Sequence, residues 1–223
     1  MGFRSRLLKL AYQLHRHEFS GRALDRWLGI ILAVIALVWA WGWLPGGWWV
    51  TAVAAILLVL LIAFELWARR AAYVHFAPQD AAILAPQPEK EPLKPEDKIA
   101  IRATGHFEVE GRRQFFADLQ AFFRTFATRE HAVIAYVPRS RFLGLGQWPS
   151  EEVGMWYIFF LPQQVIALEP GTLAFGGQQR PALRIAYQGA KRLETVYLTF
   201  DSEDDRQRVQ DDILWDAEPS SSR

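Results

Sequence analysis
Charged residues are missing from Trp27 to Phe64, and Pro45-Gly46-Gly47 is the sharp break in that apolar run. The break leaves two segments, Trp27–Leu44 and Trp48–Phe64. With their Trp and Arg flanks each reaches roughly 27 Å at ~1.5 Å of rise per residue, about the hydrocarbon thickness of a bilayer. Backbone polar groups inside lipid must be satisfied within the segment, which selects helices here. The pattern predicts a transmembrane helical hairpin over residues 27–68, with helices at 27–44 and 48–68. Its interior offers only Thr51 as a polar side chain, so it lines no path for transport. Glu65 stands four residues before Arg69 and is expected to pair with it.

After Lys98 the pattern becomes short β-branched and aromatic stretches. Strands are expected at Ile99–Val109, Ala132–Val137, Met155–Leu161, Gln164–Leu168, Leu173–Phe175, Leu183–Tyr187 and Thr195–Phe200, with turns at Gly171, Gly176-Gly177 and Gly189. This spacing reads as an antiparallel meander closing toward a barrel or sandwich. Phe115, Phe116, Leu119, Phe122, Phe123 and Phe126 fit one helix face, while the alternation Phe122/Arg124/Phe126 keeps a strand open as the alternative. A helix is expected from about Glu203 to Trp215, capped by Ser202 and Asp205, with Val209, Ile213 and Leu214 as its apolar side.

Charge then orients the chain. Residues 1–26 carry Arg4, Arg6, Lys9, Arg16, Arg22 and Arg26 against Glu18 and Asp25, and Arg69 and Arg70 follow the second helix. Both basic ends belong in the cytoplasm by the positive-inside bias, making this an integral inner (cell) membrane protein with both termini cytoplasmic. Trp27 and Trp67 mark the inner boundary, and Trp39, Trp41, Trp43, Trp48 and Trp49 crowd the outer one. The apolar run starts too late and runs too long for a cleaved signal peptide. Residues 71–223 hold 17 Lys+Arg against 21 Asp+Glu, which removes the electrostatic drive for nucleic acid binding. The chain has no Cys, so neither disulfides nor Cys-ligated metals arise.

Phe3, Leu7, Leu10 and Leu14 recur at helical spacing among basic residues, predicting an amphipathic helix in residues 1–26 that lies on the anionic leaflet. Docking onto the soluble domain is the alternative. Pro78, Pro86, Pro88, Pro92 and Pro95 mark a linker over 69–97, extended enough to hold a domain ~30 Å from the surface. The domain itself covers 98–217, and 218–223 is read as a disordered tail.

Chemistry is sparse. Gly144-Leu145-Gly146 lacks the Lys of a phosphate loop, and there is no Gly-x-Ser-x-Gly elbow, no His-Glu-x-x-His pair and no Asp-rich calcium loop. Thr128-Arg129-Glu130-His131 alternates across a strand start and cannot converge unaided. No catalytic residue, metal or cofactor is expected. The best interaction candidate is the loop carrying Arg139, Arg141, Phe142, Leu143, Leu145 and Trp148, where apolar anchors sit beside two Arg; packing of the same residues onto the barrel is the alternative.

The run Tyr157–Phe160, Val165–Leu168, Gly171-Thr172-Leu173 and Leu183-Arg184-Ile185, followed by Thr195-Val196-Tyr197-Leu198-Thr199-Phe200 leading into a helix, resembles bacterial PH-like/GRAM-like domains. The resemblance implies a bent β-barrel capped by its C-terminal helix and an interaction module. Only Arg112-Arg113 lies where phosphoinositide-binding members carry a basic cluster. The expected class is α+β: a two-helix transmembrane hairpin followed by a cytoplasmic antiparallel β-rich domain with a C-terminal helix. The expected role is a membrane-anchored, non-enzymatic scaffold or accessory subunit with the lipid bilayer and a protein as partners. Sensing of a lipid headgroup or small ligand is the alternative.

Overall fold
The computed structural model describes residues 2–19, 22–42, 48–79, 93–109, 112–139 and 151–217. The chain is α+β. Helix α1 (Gly2–Arg16) leads through the short strands β1 (Glu18–Phe19) and β2 (Arg22–Ala23) into α2 (Leu24–Ala40), and α3 (Trp48–Arg70) follows. Strands β3 (His75–Pro78), β4 (Ile99–Val109), β5 (Arg112–Thr125), β6 (His131–Arg139), β7 (Glu151–Phe160), β8 (Val165–Phe175), β9 (Gln178–Gln188) and β10 (Leu193–Thr199) precede α4 (Glu203–Ala217).

Among the described residues one helix, Trp48–Arg70, is long and apolar enough to cross a membrane, with a mean hydropathy of 2.5. This corrects the expected two-helix hairpin. Helix α2 starts at Leu24, so its first turn contains Asp25 and Arg26, and it ends where Gly42 turns into the left-handed region at φ 71°. Its uncharged part, Trp27–Ala40, rises only about 21 Å, short of a ~30 Å hydrocarbon core. The two helices nevertheless lie antiparallel against each other. Asp25 faces Arg69 at one end, and a Cβ on Gly29 would touch Leu58 at 3.8 Å farther along. Val53, Ile56, Val59, Leu60 and Ile62 are left exposed along α3, as in a helix solvated by lipid.

The eight strands form one antiparallel sheet in the order β3-β8-β9-β10-β4-β5-β6-β7. A short link forces it to curl. The 3₁₀ turn Pro162–Gln164 joins β7 to β8, and the five steps from Phe160 to Val165 span at most about 17 Å. Laid flat, those two strands would stand about 29 Å apart, at ~4.8 Å per strand. The concave face closes on Phe107, Phe123, Phe160, Leu183, Ile185, Leu198 and Phe200, all buried. Helix α4 lays Val209 and Ile213 on this core. Its start is capped as expected: the Ser202 Oγ accepts the Asp205 N–H at 3.1 Å and donates to the Asp205 carboxylate at 2.8 Å.

Three expectations fail and one open alternative is decided, for physical reasons. Residues 115–125 are strand rather than helix. At Asp118, with φ 54°, β5 bulges, and the register slips between Ala103 and Gly105 of β4. Phe116 before the bulge and Phe123 after it both enter the core, while Phe115 packs on the opposite face. Burial on both faces with a phase change imitates helical spacing. Gly171 is not a turn either: it lies inside β8, where β3 crosses so closely that a Cβ would meet the Ala77 carbonyl at 2.4 Å. The expected strands at 164–168 and 173–175 are thus one. Part of the linker, residues 75–78, is a sheet strand, so the sheet begins directly after α3 rather than standing off from it. Helix α1 docks on the sheet, the alternative reading, instead of lying free on a leaflet.

Replacing Gly171 with Ala should dislodge β3 and destabilise the protein by about 1–3 kcal/mol. Thermal denaturation of the full chain in detergent measures this; an unchanged midpoint would mean the β3 contact is dispensable.

Candidate interaction surfaces
The helical and sheet parts meet in a polar knot. Asp25 is only 2% exposed. Its carboxylate accepts the Arg26 N–H at 2.7 Å, contacts His15 Nδ1 at 3.0 Å and lies 3.7 Å from the Arg69 guanidinium. Arg69 also takes Glu65 at 3.2 Å, the i,i+4 pair expected from sequence. The negative side chain sits in the first turn of α2, where the helix dipole favours it. His15 stacks on Tyr73 at 6.0 Å. Ala72 and Tyr73 adopt φ 48° and 55°, turning the chain from α3 back onto the sheet.

Helix α1 is wedged between the end of α3 and the convex face of the sheet. Leu8 and Ala11 pack with Ala68 and Tyr73, and Tyr12 reaches Phe115 and Phe175. At the β8–β9 hairpin, Gly176 and Gly177 have φ 61° and 88°. The Ser5 carbonyl accepts the Gly176 N–H at 3.3 Å, and the Ser5 hydroxyl accepts the Gly177 N–H at 3.1 Å. Lys9 lies over Phe175 and Arg16 over Phe116. Much of the basic face of α1 is thereby used within the fold.

Where α1, α3 and β3 meet, a groove of about 350 Å³ opens beside Arg4, Arg70, His75, Glu169, Arg184 and Tyr197. At the opposite sheet edge, the outer face of β5–β7 carries an aromatic strip. Tyr157 and Phe159 are 40% and 44% exposed and stack at 5.2 Å. Phe126 lies beside Phe159, and register places Ile134 between Phe122 and Tyr157. Lys98 and Arg124 cover the rings of Phe122 and Phe126. Sequence alternation in β7 contains this strip, whereas residues 142–148 hold the denser apolar content.

Arg139 ends β6 and pairs in register with Glu151. Arg141, Phe142, Leu143, Leu145, Trp148 and Trp43 lie outside the described residues. Trp41, Trp48 and Trp49 are exposed, and Trp27 and Trp39 are half-buried. Trp67 belongs to the α1–α3 junction with Arg4 over its ring, and Arg69 is bound into the Asp25 knot rather than facing lipid headgroups.

The remaining polar cluster sits under α4. Asp212 accepts the Leu93 N–H at 2.7 Å through Oδ1 and the Thr125 hydroxyl at 2.5 Å through Oδ2. Thr125 Oγ1 stands 3.0 Å from His131 Nδ1. Because the hydroxyl proton goes to Asp212, the neutral imidazole is the Nδ1–H tautomer donating to Thr125. Burial drives His131 down to about 4, with Arg129 adding to the effect. All three side chains are sealed from solvent, so the trio fastens α4 rather than meeting a substrate. Thr128 and Arg129 are exposed in the preceding turn. His106, edge-on to Phe115, lies on another strand pair and does not meet His131. Among the described residues no three potential ligands gather for a metal.

Comparison of the chain with protein-family models, curated proteins and solved structures finds no match.

The buried histidine makes stability pH-dependent. Its folded value lies below the unfolded ~6.5, so its contribution is complete above that pH and is lost as pH falls toward about 4. The loss across this window should approach about 3 kcal/mol at ~1.4 kcal/mol per unit. Denaturant titrations from pH 7 to 4 should show this slope, and His131→Asn should flatten it; an equal slope in both proteins refutes the assignment.

Proposed function
We propose that the chain is a membrane-anchored, non-enzymatic scaffold or accessory subunit whose β-rich domain receives a protein partner at the cytoplasmic face. The observation that carries this reading is the stacked Tyr157–Phe159 strip on β7, the last strand of the sheet among the described residues, whose other half is fastened to the spanning helix. Exposed aromatics on a rigid support are the usual anchors of a protein interface, and an edge strand adds unpaired backbone donors and acceptors.

Orientation follows from charge. Arg4, Arg6, Lys9, Arg16, Arg69 and Arg70 all belong to the end where α1 and α3 meet the sheet, which favours a cytoplasmic sheet. In this reading α2 lies against α3 as a shorter companion. What supports a PH-like module is the meander β4 to β10 with α4 set on the core after the last strand, the order that the resemblance implies.

Two measurements test the proposal. A Cys introduced at Lys191, on the exposed β9–β10 turn of this Cys-free chain, should resist impermeant maleimide in intact cells and react after permeabilisation; labelling from outside overturns the orientation. Changing Tyr157 and Phe159 to Ser should shift stability by only about 1 kcal/mol or less per site. The same change should remove crosslinks to a specific protein in native membranes. Crosslinks that persist unchanged, or a wild-type chain recovered reproducibly without any partner, would refute the scaffold role.

A further inference from the structure
The groove beside the end of α3 holds more positive charge than its own walls satisfy. Arg184 gives one Nη to Glu169 at 2.8 Å, yet its Nε is buried without a hydrogen-bond partner among the described residues. Arg70 makes no ion pair with a described residue. Arg4 contributes a cation–π contact to Trp67 at 5.8 Å, which consumes none of its N–H donors. Three guanidinium groups therefore surround one cavity of about 350 Å³ against the single carboxylate of Glu169, with His75 at the rim. A buried N–H left without an acceptor is costly, and a planar guanidinium offers paired donors that match phosphate oxygens.

The position of the groove narrows the source of such a phosphate. Arg70 is the last residue of the helix that is long enough to span a bilayer, about 9 Å along the axis past Phe64, where its uncharged stretch ends. That displacement puts it at the level of the headgroup layer just outside the hydrocarbon. We propose that this groove binds the headgroup phosphate of an anionic phospholipid from the leaflet in which α3 ends. Arg70 and Arg184 contact the phosphate oxygens, Arg4 closes the open side, and Glu169 holds Arg184 in place. The site lies on α1, α3 and β3 as much as on the sheet. It rests on the membrane-anchoring part of the proposed function and is independent of the aromatic strip.

The test is lipid retention by the full-length protein in a neutral detergent, read by native mass spectrometry during titration with phosphatidylglycerol, phosphatidylcholine or inorganic phosphate. The wild-type chain should retain phosphatidylglycerol saturably in preference to phosphatidylcholine. Arg70→Gln combined with Arg184→Gln should weaken this by about tenfold or more, as expected when charge-assisted hydrogen bonds are lost. Lys191→Gln with Arg192→Gln, which removes the same charge on a distant turn, should leave retention unchanged. If the groove double variant does not fold by circular dichroism, Arg4→Gln replaces it with the same expected direction. Equal retention of both lipids, equal loss in both double variants, or competition by free phosphate at matching concentrations would overturn the proposal. Resistance to carbonate extraction, measured in parallel, separates the outcomes: an extractable chain refutes the anchor, whereas a retained chain without lipid preference refutes only the site.

Discussion
Burying a carboxylate costs several kcal/mol unless cations and hydrogen-bond donors surround it. Asp25 has such surroundings only when α1 supplies His15, α2 supplies the Arg26 N–H and α3 supplies Arg69. The three helices are fixed together at this point, and the fixing sets everything that follows. With α1 held, Ser5 reaches the β8–β9 turn and Leu8 fills the space above Tyr73. With the 71–74 turn held, β3 enters the sheet immediately after α3. The sheet and α3 thus form one packed body at the junction, and a long tether between them has no place.

A second constraint shapes the sheet. The few residues between β7 and β8 cannot bridge a flat seven-strand array, so the strands bend around their own side chains. Bending is taken up at the Asp118 bulge, where Arg102 donates to the Asp118 carbonyl and carboxylate, and Thr104 accepts the Asp118 N–H. It leaves an opening that α4 covers. Polar groups in that cover are matched to one another: Asp212 joins the chain at Leu93 to Thr125, and through it to His131, so the helix is positioned by directional contacts as well as by apolar packing.

The convex face divides into two territories. Helix α1 and the 71–78 segment cover the half built from β8, β9, β10 and the start of β5, while on the outer face of β5–β7 Tyr157 and Phe159 remain exposed. The basic groove lies at the margin of the covered half, beside the end of α3. One margin of the sheet is thus packed against a helix long and apolar enough to cross a membrane, and the aromatic side chains of β7 lie toward the other.

The apolar run in residues 48–70, the α+β pattern, most strand positions, the Ser202 cap and the Glu65–Arg69 pair were legible because each depends on neighbours within a few residues. The aromatic strip was present in the alternation of β7, although which of its faces stays exposed depends on residues distant in the chain. Other features depended on distant partners. Residues 115–126 left helix and strand both open because α1 buries one face of β5 and the core buries the other, with a bulge between. Gly171 read as a turn because only the crossing of β3 reveals why a Cβ cannot fit. Local periodicity therefore determined which segments are helix or strand where one face is buried. The tertiary structure decided where both faces are buried, where α1 rests, and which arginines are spent inside the fold, since those outcomes follow from contacts between residues far apart in the chain.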